Sequence, residues 1–250
     1  MTTPDRSDTG SEMDRPTFST AHRLGAWGVH FYTALGLPLG ALGLYGLWKH
    51  DVRLFFASLW LATFIDATDG FLARRLRVKE VIPWFDGRRL DDIVDYLMFV
   101  FVPVLGLPAL GVLPGAWAWA VLLPLLSSAY GFSQENAKTD DSFVGFPSYW
   151  NIIVIYLVVL QARPAAATGV LAALAVLVFV PVHYLYPSRA RFLRVWTIGL
   201  GAIWGLIVGA VCLAPEAPWA RDALLVSLYY PVYYLFASLA HDRRVRRASR

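Results

Sequence analysis

Asp66-Ala67-Thr68-Asp69-Gly70-Phe71-Leu72-Ala73-Arg74, followed by Gly87-Arg88-Arg89-Leu90-Asp91-Asp92-Ile93-Val94-Asp95, sets two spaced pairs of acids inside or at the edge of apolar stretches. Asp66 and Asp69 are three residues apart, and Asp91 and Asp95 are four apart. Either spacing puts both carboxylates of a pair on one face of a helix. A charged side chain at bilayer depth costs about 3 kcal/mol on insertion scales, so carboxylates there need cations. Two helical pairs close together predict a divalent-metal site at the membrane surface. A simple pairing of acids with Arg74 and Arg75 at a helix end would explain neither the two spacings nor the flanking glycines.

Outward from this stretch the chain is apolar. Of its 250 residues 57% are hydrophobic and only 16% charged, with a mean hydropathy of +0.51. Those values exclude an ordinary soluble domain and predict an all-α polytopic membrane protein. Crossing a bilayer core takes about 20 residues, and apolar runs of that order predict about eight transmembrane helices: 26–47, 54–74, 90–111, 116–133, 148–162, 167–186, 193–213 and 222–240. The fifth is short. Lys49-His50-Asp51, Leu113-Pro114-Gly115, the polar loop 134–147, Arg163-Pro164, 187–191 and 215–218 supply breaks. Residues 1–22 are polar and lack the apolar core of a signal peptide, which predicts a disordered cytosolic tail. Residues 23–240 form the expected membrane domain, and 241–250 a basic cytosolic tail. The single cysteine, Cys212, allows no disulfide within the chain.

Charge orients the spans. With both termini in the cytoplasm, all but Lys49, Arg53, Arg163 and Arg221 of the 22 basic residues fall on the cytoplasmic side, as the positive-inside rule requires. The net charge of +4 is therefore topological and implies no nucleic-acid partner. All four acids then lie near the cytoplasmic face. The short connection from span two to span three predicts antiparallel neighbours, which would bring the pairs together. Carboxylate oxygens select hard cations such as Mg²⁺, Mn²⁺ or Ca²⁺, and two ions clamping phosphoryl oxygens suit such a set. Gly70 and Gly87 allow close approach of a ligand, Ala73 is small on the side of Gly70, and Arg74 presents a planar fork to phosphate. His30, in the inner half of span one, serves either a phosphate or a neighbouring helix.

The pattern D-x-x-D-G-x-x-A-R … G-x-x-x-D-x-x-x-D, filled here by Asp66, Asp69, Gly70, Ala73, Arg74, Gly87, Asp91 and Asp95, resembles the signature of the CDP-alcohol phosphotransferases. The gap between Arg74 and Gly87 is twelve residues, longer than is usual there, and is similar to that of the family's bacterial phosphatidylcholine synthase branch. Val29-His30-Phe31-Tyr32-Thr33-Ala34-Leu35-Gly36, Phe99 to Pro103, Lys138-Thr139-Asp140-Asp141 leading to Gly145 to Asn151, and Val180 to His183 point the same way. The resemblance covers roughly residues 25–235. It implies CDP-diacylglycerol and choline as substrates in a bacterial inner membrane, an active site facing the cytoplasm, two Mn²⁺ or Mg²⁺ ions, and a homodimer. It implies Asp66, Asp69, Asp91 and Asp95 as metal ligands, with Asp95 also the general base. Asp66, Gly70, Ala73, Arg74 and Gly87 would contact the nucleotide.

A quaternary ammonium has no proton to donate and is best held by aromatic faces and a carboxylate. Tyr130, Glu135, Tyr149, Trp150 and His183 are the expected acceptor contacts, although aromatic belts also form at membrane interfaces for ordinary reasons. A phosphorylated acceptor would want more cations than Lys138, which shares its loop with Glu135, Asp140 and Asp141. Serine, inositol or glycerol phosphate remains the same-class alternative. An ion-coupled transporter would show paired halves with broken helices, and no such repeat is visible.

Overall fold

The computed structural model describes residues 18–135, 139, 142–187 and 192–248. The expected tail up to residue 17, together with Lys138, Asp140, Asp141, Arg189, Arg191 and Arg250, lies outside the described residues. The chain is mainly helical. Five helical stretches are long and apolar enough to cross a membrane: Thr20–Trp48, Val52–Arg75, Gly115–Phe132, Arg194–Leu213 and Ala220–Arg247. Phe31, Leu206, Val226 and Phe236 are exposed on them, an apolar exterior suited to lipid rather than water.

Proline placement explains where the long helices are interrupted. Helix α1 (Thr20–Ala34) gives way to α2 (Gly36–Trp48) at Leu35, where an unbroken helix would need an N–H from Pro38 to the Ala34 carbonyl four residues back. Proline has none, and its ring clashes with the carbonyl four residues back. Pro103 does the same to Phe99. Helix α5 (Gly87–Asp95) therefore widens into a π turn, Tyr96–Phe101, before resuming as α6 (Val102–Ala109). Pro231 separates α11 (Ala220–Ser227) from α12 (Tyr229–Ala248). The boundary expected at residue 240 falls inside α12, where His241 and Asp242 are buried.

Helix α3 (Val52–Arg75) packs against α1, α2 and α10 (Arg194–Leu213). Gly36, Gly40, Gly43 and Gly46 form a buried small-residue stripe on α2. It lets that helix lie against Val94, Met98, Val102, Phe55 and Ser58, as small residues do in membrane bundles. The turn after α3 runs through Arg77 in the left-handed region and a short helix α4 (Val78–Val81). Val78, Val81 and Ile82 bury themselves against Ala26 and Val29 of α1. That contact fixes the connection between α3 and α5. Helix α7 (Leu122–Phe132) follows a 3₁₀ turn and packs on α9 (Pro164–Phe179), while α8 (Trp150–Val159) packs on α6.

The expectation of a sixth helical span through residue 186 needs correction. Helix α9 stops at Phe179, and His183–Leu185 is a strand, β2, paired antiparallel with β1 (Ser142–Val144) in the register Ser142–Leu185, Phe143–Tyr184, Val144–His183. Pro181 ends the helix and biases Val180 towards extended geometry. Gly145, with φ +85°, follows β1 where a side chain would strike the Val178 carbonyl, and its N–H donates to the Val182 carbonyl at 3.0 Å.

Candidate active site

Asp86 begins the site. Its carboxylate caps α5 by accepting the Arg88 and Arg89 backbone N–H groups. This fixes the helix start, and with it the phase that turns Asp91 and Asp95 inward. On α3, Asp66 and Asp69 point to the same place. Oxygens of Asp66, Asp91 and Asp95 all lie within 4.8 Å of one another. Asp69 lines the same cavity, together with Thr33, Gly36, Ala62, Ile65, Val94, Met98 and Phe99. Asp69 and Asp95 are buried. Thr33 of α1 donates its hydroxyl to Asp69 Oδ2 at 2.7 Å, which aims one carboxylate oxygen and was not foreseen from the sequence. The π turn begins immediately after Asp95 and is tied to α7 by the Tyr96 hydroxyl donating to the Leu125 carbonyl. Such turns recur at functional sites, where they re-aim neighbouring side chains.

The rest of the motif is arranged around this cluster. Arg74 is exposed at the end of α3 and folds back over Gly70. A Cβ on Gly70 would lie 3.3 Å from Arg74 Nη1. Ala73 is half-buried and packs with the cluster around Val78. Gly87 faces His30: an added Cβ would sit 2.6 Å from His30 Cε1. The imidazole also stacks with Phe85 at 4.4 Å and meets Trp27 edge-on at 5.8 Å. Its Nε2 is buried without a hydrogen-bond partner among the described residues.

The expected acceptor residues divide. Trp150 is fully buried and donates its indole N–H to Ser128 Oγ at 2.7 Å, packed against Phe146. Tyr130 lies apart on α7, exposed, with its ring against Phe179. Glu135 is exposed in the loop that follows. His183 is held by Asp242, which accepts from its backbone N–H at 3.0 Å and contacts its Nδ1 at 2.9 Å. Tyr149 is half-buried between Phe143 and Tyr234. Two residues on, Asn151 Nδ2 donates to Thr63 on α3 at 2.8 Å, about one helical turn before Asp66.

No family model matches the chain. Curated relatives do. The phosphatidylcholine synthase of Legionella pneumophila is 38% identical over 237 residues, covering 90% of this chain and 91% of the relative. Those of Pseudomonas aeruginosa and Borreliella burgdorferi are each 34% identical, covering 88% and 86% of this chain and 92% and 93% of theirs. The chain belongs to the phosphatidylcholine synthase family. Within that family assignment, a cluster of three carboxylates at one end of a helical membrane bundle gives the chemistry a location. The donor set fits a hard divalent cation: oxygen only, with three negative charges brought together and Asp95 buried among them.

Proposed function

We propose that this chain transfers the phosphatidyl group of CDP-diacylglycerol to choline, yielding phosphatidylcholine and CMP. The convergence of Asp66, Asp91 and Asp95 carries the reading. It gives a family of phospholipid-making enzymes the anionic pocket that a metal-bound pyrophosphate requires. The eight filled motif positions also support placing the chain among the CDP-alcohol phosphotransferases.

In this reading Asp66, Asp69, Asp91 and Asp95 hold two Mn²⁺ or Mg²⁺ ions. When bound, the ions offset the negative charge that grows on the phosphoryl oxygens and on departing CMP. Thr33 holds Asp69 in its ligating orientation. Arg74, above Gly70, takes a phosphate oxygen with its guanidinium, and Ala73 and Gly87 leave room for the nucleotide. Asp95 accepts the choline hydroxyl proton. The choline oxygen bonds to phosphorus while the bond from phosphorus to the CMP oxygen breaks, CMP keeping the bonding pair. Positioning and electrostatics do most of this work, as in other phosphoryl transfers.

The architecture proposed with it has eight crossings, the five long helices joined by 87–109, α8 and α9. Both ends face the cytoplasm of a bacterial inner membrane, and 23–240 serves as the catalytic body between two tails. The distribution of arginine supports that orientation. A homodimer is carried by the family resemblance.

The test is CMP release by purified protein with CDP-diacylglycerol and Mn²⁺ or Mg²⁺, comparing choline, serine, inositol, glycerol 3-phosphate and no acceptor. Release requiring both choline and metal is expected. Release with another alcohol in place of choline would overturn the acceptor and keep the site.

A further inference from the structure

Beside the acid cluster, three segments far apart in the chain bring tyrosines together. Ser148, buried with φ +57°, turns the chain sharply after β1. The left-handed region is rare for a residue with a side chain. The turn leads through Tyr149 into Asn151, whose Nδ2 donates to Thr63 of α3 at 2.8 Å, about one helical turn before Asp66. Tyr149 meets Phe143 of β1 at 6.4 Å and 82°, and Tyr234 of α12 at 6.4 Å and 64°. It therefore forms a near-perpendicular corner with both. Tyr186 lies over Phe143 at 4.5 Å, and Tyr230 neighbours Tyr234 at 6.4 Å.

Helix α12 fixes this wall with a polar ladder repeated every fourth residue. The Tyr234 hydroxyl donates to the Leu185 carbonyl at 2.8 Å, and Ser238 Oγ accepts the Leu185 N–H at 3.1 Å. Asp242 accepts from the His183 N–H, and Arg246 donates to Asp242 and to the Pro181 carbonyl, each at 2.7 Å. The outer edge of β2 is thereby satisfied by side chains instead of by a third strand. Its tyrosines are held against those of α12.

We propose that this wall, with Tyr149 and Tyr234 at its corner, recognises the trimethylammonium group of the acceptor and sets the preference for choline over smaller amines. Ring faces attract a cation that has no hydrogen to donate, most strongly where water is excluded. Asp66 adds a carboxylate on the same side. The hydroxyl end of a molecule as short as choline would then point into the acid cavity towards Asp95. Recognition rests on Tyr149, Tyr230, Tyr234 and Phe143, of which only Tyr149 was among the residues expected from sequence.

The inference rests on choline being the acceptor, and the experiment separates the two. CMP release is measured at varied choline, N,N-dimethylethanolamine, ethanolamine and 3,3-dimethyl-1-butanol, the last having choline's shape without its charge. Wild-type protein, Tyr234→Leu, Tyr234→Phe and Tyr230→Leu are compared, with CDP-diacylglycerol binding as the folding control. Tyr234→Leu removes the ring face and keeps apolar volume. It is expected to raise the KM for choline by about tenfold and to narrow the preference for choline over the neutral isostere. Tyr234→Phe keeps the face and loses the bond to Leu185, and is expected to raise KM by no more than about threefold. Should Tyr234→Leu fail to bind CDP-diacylglycerol, Tyr230→Leu decides by the same ratio. An unchanged choline-to-isostere ratio in the Leu variants overturns the wall, as does a Phe variant as impaired as Leu. Wild-type protein that turns over without choline defeats the proposed function first.

Discussion

The acid cluster and the tyrosine wall are built differently. Each acid pair is carried by one helix, and α3, α5 and the short connection between them all pack on α1. The rings of the wall come from Phe143 of β1, the turn before α8, and α12, and depend on a pair of strands only three residues long. Local helical geometry makes the first region robust, whereas long-range polar contacts make the second. Substitutions in the two regions should therefore fail in different ways.

The largest effect is expected at Asp95→Asn. The amide keeps the shape of the carboxylate and cannot take the choline proton. Turnover should fall about 10³-fold with the unfolding temperature little changed. Single-turnover CMP release beside a thermal melt checks it. Unchanged turnover would remove Asp95 as the base and weaken the claim that the acid region owns the chemistry.

Next comes Thr33→Val, which deletes the hydroxyl holding Asp69. Loss of such an orienting contact typically costs metal sites about tenfold or more in affinity. Mn²⁺ titration followed by electron paramagnetic resonance should show weaker binding, restored by Thr33→Ser, while choline preference stays as in wild type. A changed preference would mean that the two regions are not separable.

Gly87→Ala tests packing within the acid region. The new methyl would overlap His30 Cε1, and overpacking of this kind costs about 1–3 kcal/mol. The expected drop in thermal stability should be relieved by His30→Ala in the same chain. If stability is restored and activity is not, Gly87 also serves the nucleotide.

What could be read from the sequence follows the same division. The acids were legible because spacings of three and four residues translate directly into one helical face, and because apolar flanks left them no solvent. The helical stretches were legible from hydrophobic runs. The bond from Thr33 to Asp69 was not, although Thr33 stands in the stretch 29–36 that resembles the family, because a threonine on an apolar helix does not name its partner. Strand β2 was hidden inside an apolar run that continues through Pro181. Trp150 reads as an interfacial aromatic in sequence, yet its indole N–H finds Ser128 in the core. A missed signal was available in α12. Tyr234, Ser238, Asp242 and Arg246 recur at every fourth position and so share one face of the helix.

That face supplies the smallest prediction. Ser238→Ala leaves the Leu185 N–H, which is buried, without its acceptor. An intramolecular hydrogen bond contributes about 1 kcal/mol, and an orphaned buried donor costs somewhat more. The loss is spread over a ladder in which Tyr234 and Asp242 still hold β2, so the strand should loosen and not detach. The acid pairs sit on α3 and α5, which receive no bond from Ser238. The expected outcome is a rise of about threefold in the KM for choline, with Mn²⁺ affinity and the KM for CDP-diacylglycerol unchanged. A matched fall in Mn²⁺ affinity would mean that the strand pair also positions the acids, and the two regions would then have to be treated as one site.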